Sequence, residues 1–177
     1  MVGEIMGEEN TQRRFAVMGT NTFMIANRLI SNQRICRLLK YQTRNPFAEK
    51  ENGVDQPNIE NGFELINKQI LIVPKIFDDS TEKMSYITAI FNGFVINQLN
   101  PEFKTSTVRF DIACPYDEWL LNDNSLRPYL IMQVIDTDFN EKKLKGIGTL
   151  QFYRAYPLVL TPWIGGYSME YKINEFN

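Results

Sequence analysis

Two stretches of this chain alternate between a large apolar and a polar or small residue, and that alternation limits the folds open to it. In TVRFDIAC, Val108, Phe110, Ile112 and Cys114 fall on one side, and Thr107, Arg109, Asp111 and Ala113 on the other. In YSMEYKIN, Tyr167, Met169, Tyr171 and Ile173 oppose Ser168, Glu170, Lys172 and Asn174. Successive side chains of a strand point to opposite faces, so a period of two describes a sheet with one dry face. That dry face must be covered by another layer.

Helical spacing supplies the cover. Thr20 or Asn21 can cap a helix carrying Phe23, Met24, Ala26, Leu29 and Ile30, and Ser31 or Asn32 can cap a second with Ile35, Cys36, Leu38 and Leu39. A third helix is expected through LRPYLIMQVIDTDF, started by the Asn122–Ser125 cluster, with Pro128 in its first turn and Leu130, Ile131, Val134 and Ile135 as its buried stripe. Further strands are expected at Ile70–Val73, at 83–94 with Tyr86, Ile87, Ile90 and Phe91 in the core, and at TLQFYRAY. Asn92-Gly93 reads either as a hairpin turn or as the start of an extended excursion to residue 104. The expected fold is α+β, an antiparallel β-sheet with helices packed on one face, and its last strand is expected at the end of the domain with one face wet.

With 177 residues the chain fits one domain. Residues 1–19 read as a flexible N-terminal arm and 20–177 as a single α+β domain with a long polar loop at about 42–62, punctuated by Pro46, Gly53 and Pro57. A loop of that length is expected to be functional, or disordered until bound. No apolar run is long enough to span a bilayer, and Glu4, Glu8 and Glu9 break any signal-like start, so no membrane partner is expected.

Chemistry is thinly represented. The chain has no histidine, which removes the commonest general base and metal ligand near neutral pH. Its two cysteines, Cys36 and Cys114, have no metal-ligand spacing and read as buried thiols of a reducing compartment. DTDFNE at 136–141 starts like a calcium loop but has Glu141 where the turn needs glycine and Ile147 where the bidentate glutamate belongs. Gly146-Ile147-Gly148 leads into a strand rather than a helix, unlike a phosphate loop. Asp111, Asp117, Glu118 and Asp123 lack recognisable ligand spacing. A net charge of −2 gives no basic field for holding phosphates. The expectation is a non-enzyme with no catalytic residues, no metal and no cofactor.

The segments RLISNQRICRLLKY, VRFDIACPYDEW, LRPYLIMQVIDTDFNEKKLKGIG and TLQFYRAYPL followed by GGYSMEYKI, in that order, resemble the small head–tail joining proteins of tailed bacteriophages. That group includes the tail-terminator and neck proteins. The resemblance covers about residues 20–173 and implies a tail-terminator-like protomer that closes into a homo-oligomeric ring, a hexamer or twelve-fold. It implies portal, neck or tail-tube proteins as neighbours, and DNA passing through the lumen without sequence-specific binding. The implied location is the neck or tail of the virion, after assembly in the host cytoplasm. The long loop and the N-terminal arm depart from the smaller members. Another connector or tail-completion component, and a non-viral ligand-binding α+β domain, are the alternatives.

Interfaces favour aromatic and arginine anchors on otherwise polar segments. On that rule the expected interface residues are Arg13, Arg14 and Phe15 in the arm, Phe47 and Ile59 in the long loop, and Phe94 and Phe103 beyond Asn92-Gly93. The terminal strand and the long loops are expected to supply lateral contacts and strand addition.

Overall fold

The computed structural model describes residues 18–78, 80–96 and 104–174, with the strand ends 94–96, 104–105 and 174 described through their backbone alone. Two helices come first, α1 at Met18–Ile30 and α2 at Gln33–Lys40, separated by a break in which the Asn32 side chain accepts a hydrogen bond from the Arg34 amide. That is the cap the sequence offers. A small hairpin follows, β1 at Lys50–Glu51 and β2 at Val54–Asp55. Asn52 and Gly53 link the two strands with φ of 50° and 82°. Positive φ at both positions is the two-residue turn that matches strand twist, and Asn-Gly adopts it readily.

The main sheet comprises β3 (Ile70–Leu71), β4 (Tyr86–Ile96), β5 (Lys104–Pro115), β6 (Lys143–Leu144), β7 (Gly148–Val159) and β8 (Ile164–Asn174), with the third helix, α3 at Arg127–Phe139, between β5 and β6. Its strand order is β3-β4-β5-β8-β7-β6. Every pairing is antiparallel except β3 with β4, a two-residue parallel edge that follows a turn of 3₁₀ helix at Gly62–Leu65. The architecture is α+β, as the alternation and the helical stripes require. Val108, Phe110, Ile112 and Cys114 of β5, with Met169, Tyr171 and Ile173 of β8, enter one core with Ile25, Leu29, Ile35, Leu38, Ile131 and Ile135 of the helices.

Three expectations need correcting. The last strand is central, paired with β5 on one side and β7 on the other, so it offers no free edge for strand addition. Its polar face is wet at Lys172 but not along its length, since Ser168 and Glu170 are both buried. Asn92-Gly93 is not a turn: β4 continues to Ile96, with Gly93 at φ 144° beside a register shift between Phe91 and Phe94. That is a bulge, and glycine, lacking a Cβ, accepts the positive φ there. The Asn122–Ser125 cluster turns the chain, with the Asp123 carboxylate accepting from the Ser125 amide and hydroxyl, but the residue that caps α3 is Leu126, which has no capping side chain.

What anchors the start of α3 is Arg127. Its side chain is fully buried and donates to four carbonyls, those of Leu38, Tyr41 (3.1 Å), Thr43 and Glu118 (3.0 Å). Three of these belong to the last turn of α2 and the residues after it, where a helix leaves carbonyls without partners and carries its negative end. Gln42 and Gln69 bring further amide donors to the Leu39 carbonyl. A guanidinium has five N–H donors in a rigid fork and so can satisfy several of these acceptors together. Arg127→Met is expected to lose on the order of 3–5 kcal/mol of unfolding free energy, the scale of removing one member of a buried charged network. Arg127→Lys should recover little of it, because one ammonium cannot span the set. Urea denaturation of both variants measures this.

Candidate assembly interface

The face of the sheet turned away from the helices divides in two. At one end Leu71, Tyr86, Ala113 and Ile164 form a second apolar cluster, joined by Phe77, Met84, Leu160 and Trp163 from loops on either side. Beyond it, polar residues brought together by strand register form a continuous hydrogen-bonded network. Arg109 stands opposite Glu170, Asp111 opposite Ser168, and Glu170 opposite Arg154.

Arg154 grips Glu170 through two nitrogens, at 2.8 and 3.2 Å, and the Tyr156 hydroxyl donates to the same carboxylate at 3.1 Å. The Asn92 amide donates to Glu170 at 3.4 Å while its oxygen accepts from Arg109 at 3.2 Å. Arg109 in turn pairs with Asp111 at 3.0 Å, and the Ser168 hydroxyl donates to Asp111 at 2.6 Å. The Glu170 side chain is only 4% exposed, whereas that of Arg154 is 55% exposed. The Arg154 guanidinium, with the Tyr156 hydroxyl, holds the Glu170 carboxyl below the usual carboxylate range, against the opposing effect of burial. Bidentate pairs of this kind fix geometry, and two arginines against two carboxylates leave the network without net charge.

At the end of β5 lies a second surface. A short 3₁₀ turn at Tyr116–Glu118 follows Pro115, and the Trp119 indole donates to the Cys114 carbonyl at 3.1 Å. Tyr116 and Trp119 have ring centroids 5.3 Å apart, Trp119 and Tyr167 6.4 Å, and Tyr167 and Tyr129 5.1 Å. The Tyr129 and Tyr167 hydroxyls share a hydrogen bond of 2.7 Å. Tyr116, Leu120 and Tyr129 are 40%, 47% and 47% exposed. Gly165 makes this packing possible, because a Cβ there would strike the Tyr116 hydroxyl and the Leu158 carbonyl.

Among the residues expected at an interface, Arg13, Arg14, Phe15 and Phe103 lie outside the described residues, and Phe94 is described through its backbone alone. Phe47 is 38% exposed and lies under the Arg34 guanidinium at 5.4 Å from its ring centroid. Ile59 packs against the core, and its backbone is clasped by Gln33, which donates to its carbonyl (2.8 Å) and accepts from its amide (2.9 Å). Arg37 holds the carbonyls of Pro46 and Ala48, and the Tyr41 hydroxyl that of Pro57. The long loop is therefore pinned to α2, with Phe47 and Ile59 held by the consecutive residues Arg34 and Gln33. Sequence reasoning missed Tyr116, Tyr129 and Tyr167 as surface aromatics. Tyr116 carried a signal as an aromatic beside an acidic loop, whereas Tyr129 lies within α3 and Tyr167 falls in phase with core residues of β8, so only the meeting of α3 with β8 joins them.

The carboxylates near β5 serve separate structural roles. Asp111 belongs to the network above, Glu118 lies 3.7 Å from Arg127, and Asp123 closes its turn with Ser125. Burial raises the Glu118 pKa, with Arg127 opposing it. Among the described residues no three His, Cys, Asp or Glu side chains gather as a metal site. Burial pushes both the Cys36 and Cys114 thiols up to about 11, which keeps them protonated at neutral pH. A polar cleft of about 590 Å³ lies over the second apolar cluster, lined by Lys40, Lys68 and Lys75 against Asp78 and Glu82.

The family model YomW matches residues 32–173. No curated protein and no solved structure matches the chain.

Because its folded pKa is depressed, Glu170 contributes stability that is present above the ordinary carboxylate pKa and lost as pH falls through the folded value. Glu170→Gln is therefore expected to destabilise the protein at pH 7, with the gap to the parent chain narrowing below about pH 4.5. Thermal melts across pH 3–7 measure it, and a gap that stays constant would show that the carboxylate charge contributes nothing.

Proposed function

We propose that this chain, which belongs to the phage-derived YomW family, is a structural virion protein that closes into a ring at the phage head–tail junction, as a tail terminator or neck component. In this reading it caps or joins the tail tube, carries out no reaction and requires no cofactor. Neighbouring copies and portal, neck or tail-tube proteins are its partners, and duplex DNA passes through the ring without base contacts.

The observation that carries the proposal is the presence of two separate surfaces suited to contact on one small protomer. One is the charge-paired face built on Arg109, Asp111, Arg154 and Glu170, and the other is the aromatic patch of Tyr116, Trp119, Tyr129 and Tyr167. Rings need two different surfaces on each subunit, because a head-to-tail contact that closes by rotation uses unlike patches. Paired charges serve specificity and register, while exposed tyrosine and tryptophan supply interface energy. The phage-derived family and the resemblance to head–tail joining proteins favour this setting over a ligand-binding domain, and the polar lining of the 590 Å³ cleft gives the latter little support. A conduit for DNA is also consistent with a mildly acidic chain of net charge −2, since a basic lumen would hold the duplex through its phosphates.

Negative-stain electron microscopy with light-scattering mass tests the proposal, on the protein alone and mixed with portal and tail-tube assemblies. Closed rings with an opening of about 20 Å or more, wide enough for a duplex, are expected in at least one mixture. A protein that remains a single chain alone, and adds to neither assembly as a ring, overturns it.

A further inference from the structure

The aromatic patch is bordered by acid, and the exposed cation near that border is Arg44, whose carbonyl accepts from the Asn122 amide and whose charge acts on Glu118. Between Pro115 and Arg127 the chain carries Asp117, Glu118 and Asp123 and neither lysine nor arginine. Arg127 itself is buried and committed to carbonyls. The patch therefore offers exposed rings and an exposed carboxylate, Asp117, to whatever covers it. Aromatic faces attract guanidinium groups by their quadrupole, and a nearby carboxylate adds a charged acceptor.

The chain contains a segment of the complementary chemistry. Residues 10–17, NTQRRFAV, carry Arg13, Arg14 and Phe15 and no acid. This segment enters the fold at Met18, the first residue of α1. One turn later the Asn21 amide donates to the Gly146 carbonyl at 3.0 Å, which places the start of α1 beside the β6–β7 turn. That turn lies at the sheet end where Thr149 pairs with Asn174. The patch lies at the other end, around Tyr167 and Gly165 of β8. The strand from Tyr167 to Asn174 is about 23 Å long. Arg13, the farthest of the three, precedes Met18 by five residues, a backbone reach of about 17 Å. The backbone of that segment is thus shorter than the strand length that separates the two ends of the sheet.

We infer that the patch formed by Tyr116, Asp117, Trp119, Leu120, Tyr129 and Tyr167 receives the Arg13-Arg14-Phe15 segment of a second copy of this chain. The contact is head to tail, since the arm leaves one end of the sheet and its receptor lies at the other. Such a contact is heterologous and propagates to rings or filaments. The inference rests on the assembly reading above and names the surfaces that would join neighbouring copies.

One cysteine added per chain tests it with the full-length protein. Phe15→Cys and Leu120→Cys are made separately, one of them carrying a mass tag, and are mixed with a short bismaleimide linker. The native thiols, Cys36 and Cys114, are buried and do not compete. A mixed-mass heterodimer is expected to dominate over either homodimer. Asp117→Lys in the acceptor should lower its yield by about fivefold, the scale of one exposed ion pair, and Arg13→Glu with Arg14→Glu in the donor should restore it. Tyr129→Cys provides a second acceptor should the Leu120 variant fold poorly. No heterodimer with either acceptor overturns the inference, even where microscopy shows closed rings. A heterodimer that obeys the charge swap supports the arm contact even where no ring closes, and in that event the ring reading alone falls.

Discussion

The burial of the Arg127 guanidinium organises the helical layer. A helix of eight residues such as α2 cannot satisfy its own last carbonyls, and an isolated helix so short is marginal in water. Its end is nevertheless tucked inside the protein, with Leu38 and Leu39 fully buried. Arg127 resolves the conflict by bringing its charge and its fork of donors to the negative end of the helix, linking α2 to the start of α3. Because α3 covers β5 and β8 from the same face, the placement of the helices over the sheet follows from that one side chain together with the aliphatic stripes.

The opposite face follows a different rule. A central strand normally buries apolar residues on both faces or leaves one face to water. Here Glu170 is buried on the polar face of β8, and the charge is tolerated because Arg154, Tyr156 and Asn92 surround it. A Cβ on Gly166 would run into the Ile112 carbonyl of β5, so the start of β8 depends on a glycine for its close approach to its neighbour. The two faces therefore divide their tasks. The helical side is a packed core, and the other side holds its register by charged pairs whose outer members remain in reach of a partner.

Much of this was legible in the residues. The period-two runs at 107–114 and 167–173 give the correct dry face on both strands, and the Asn32 cap and the Pro128 start locate two helices. The small hairpin at Asn52-Gly53 was hidden inside a polar segment with too few flanking strand residues to reveal a period, while the same dipeptide at 92–93 falls on a bulge. One dipeptide has two outcomes because the flanking pairing, rather than the turn residues, decides whether the chain reverses. Cys114 reads from its phase alone as a core residue. Arg127 does not, since an arginine at a helix start gives no sequence sign that four carbonyls await it.

The sequence by itself determined that the fold is α+β, which residues of β5 face the core, and that histidine chemistry is excluded, because these depend on local periodicity and on the side chains present. Phe23, in phase with the first helical stripe, is nevertheless exposed. Only the tertiary structure decided that β8 is central rather than an edge, that Glu170 has buried partners, and that Tyr116, Trp119, Tyr129 and Tyr167 form one surface. Those facts depend on which strands pair and which helix ends meet. Such contacts join residues tens of positions apart, and a local pattern carries no record of them.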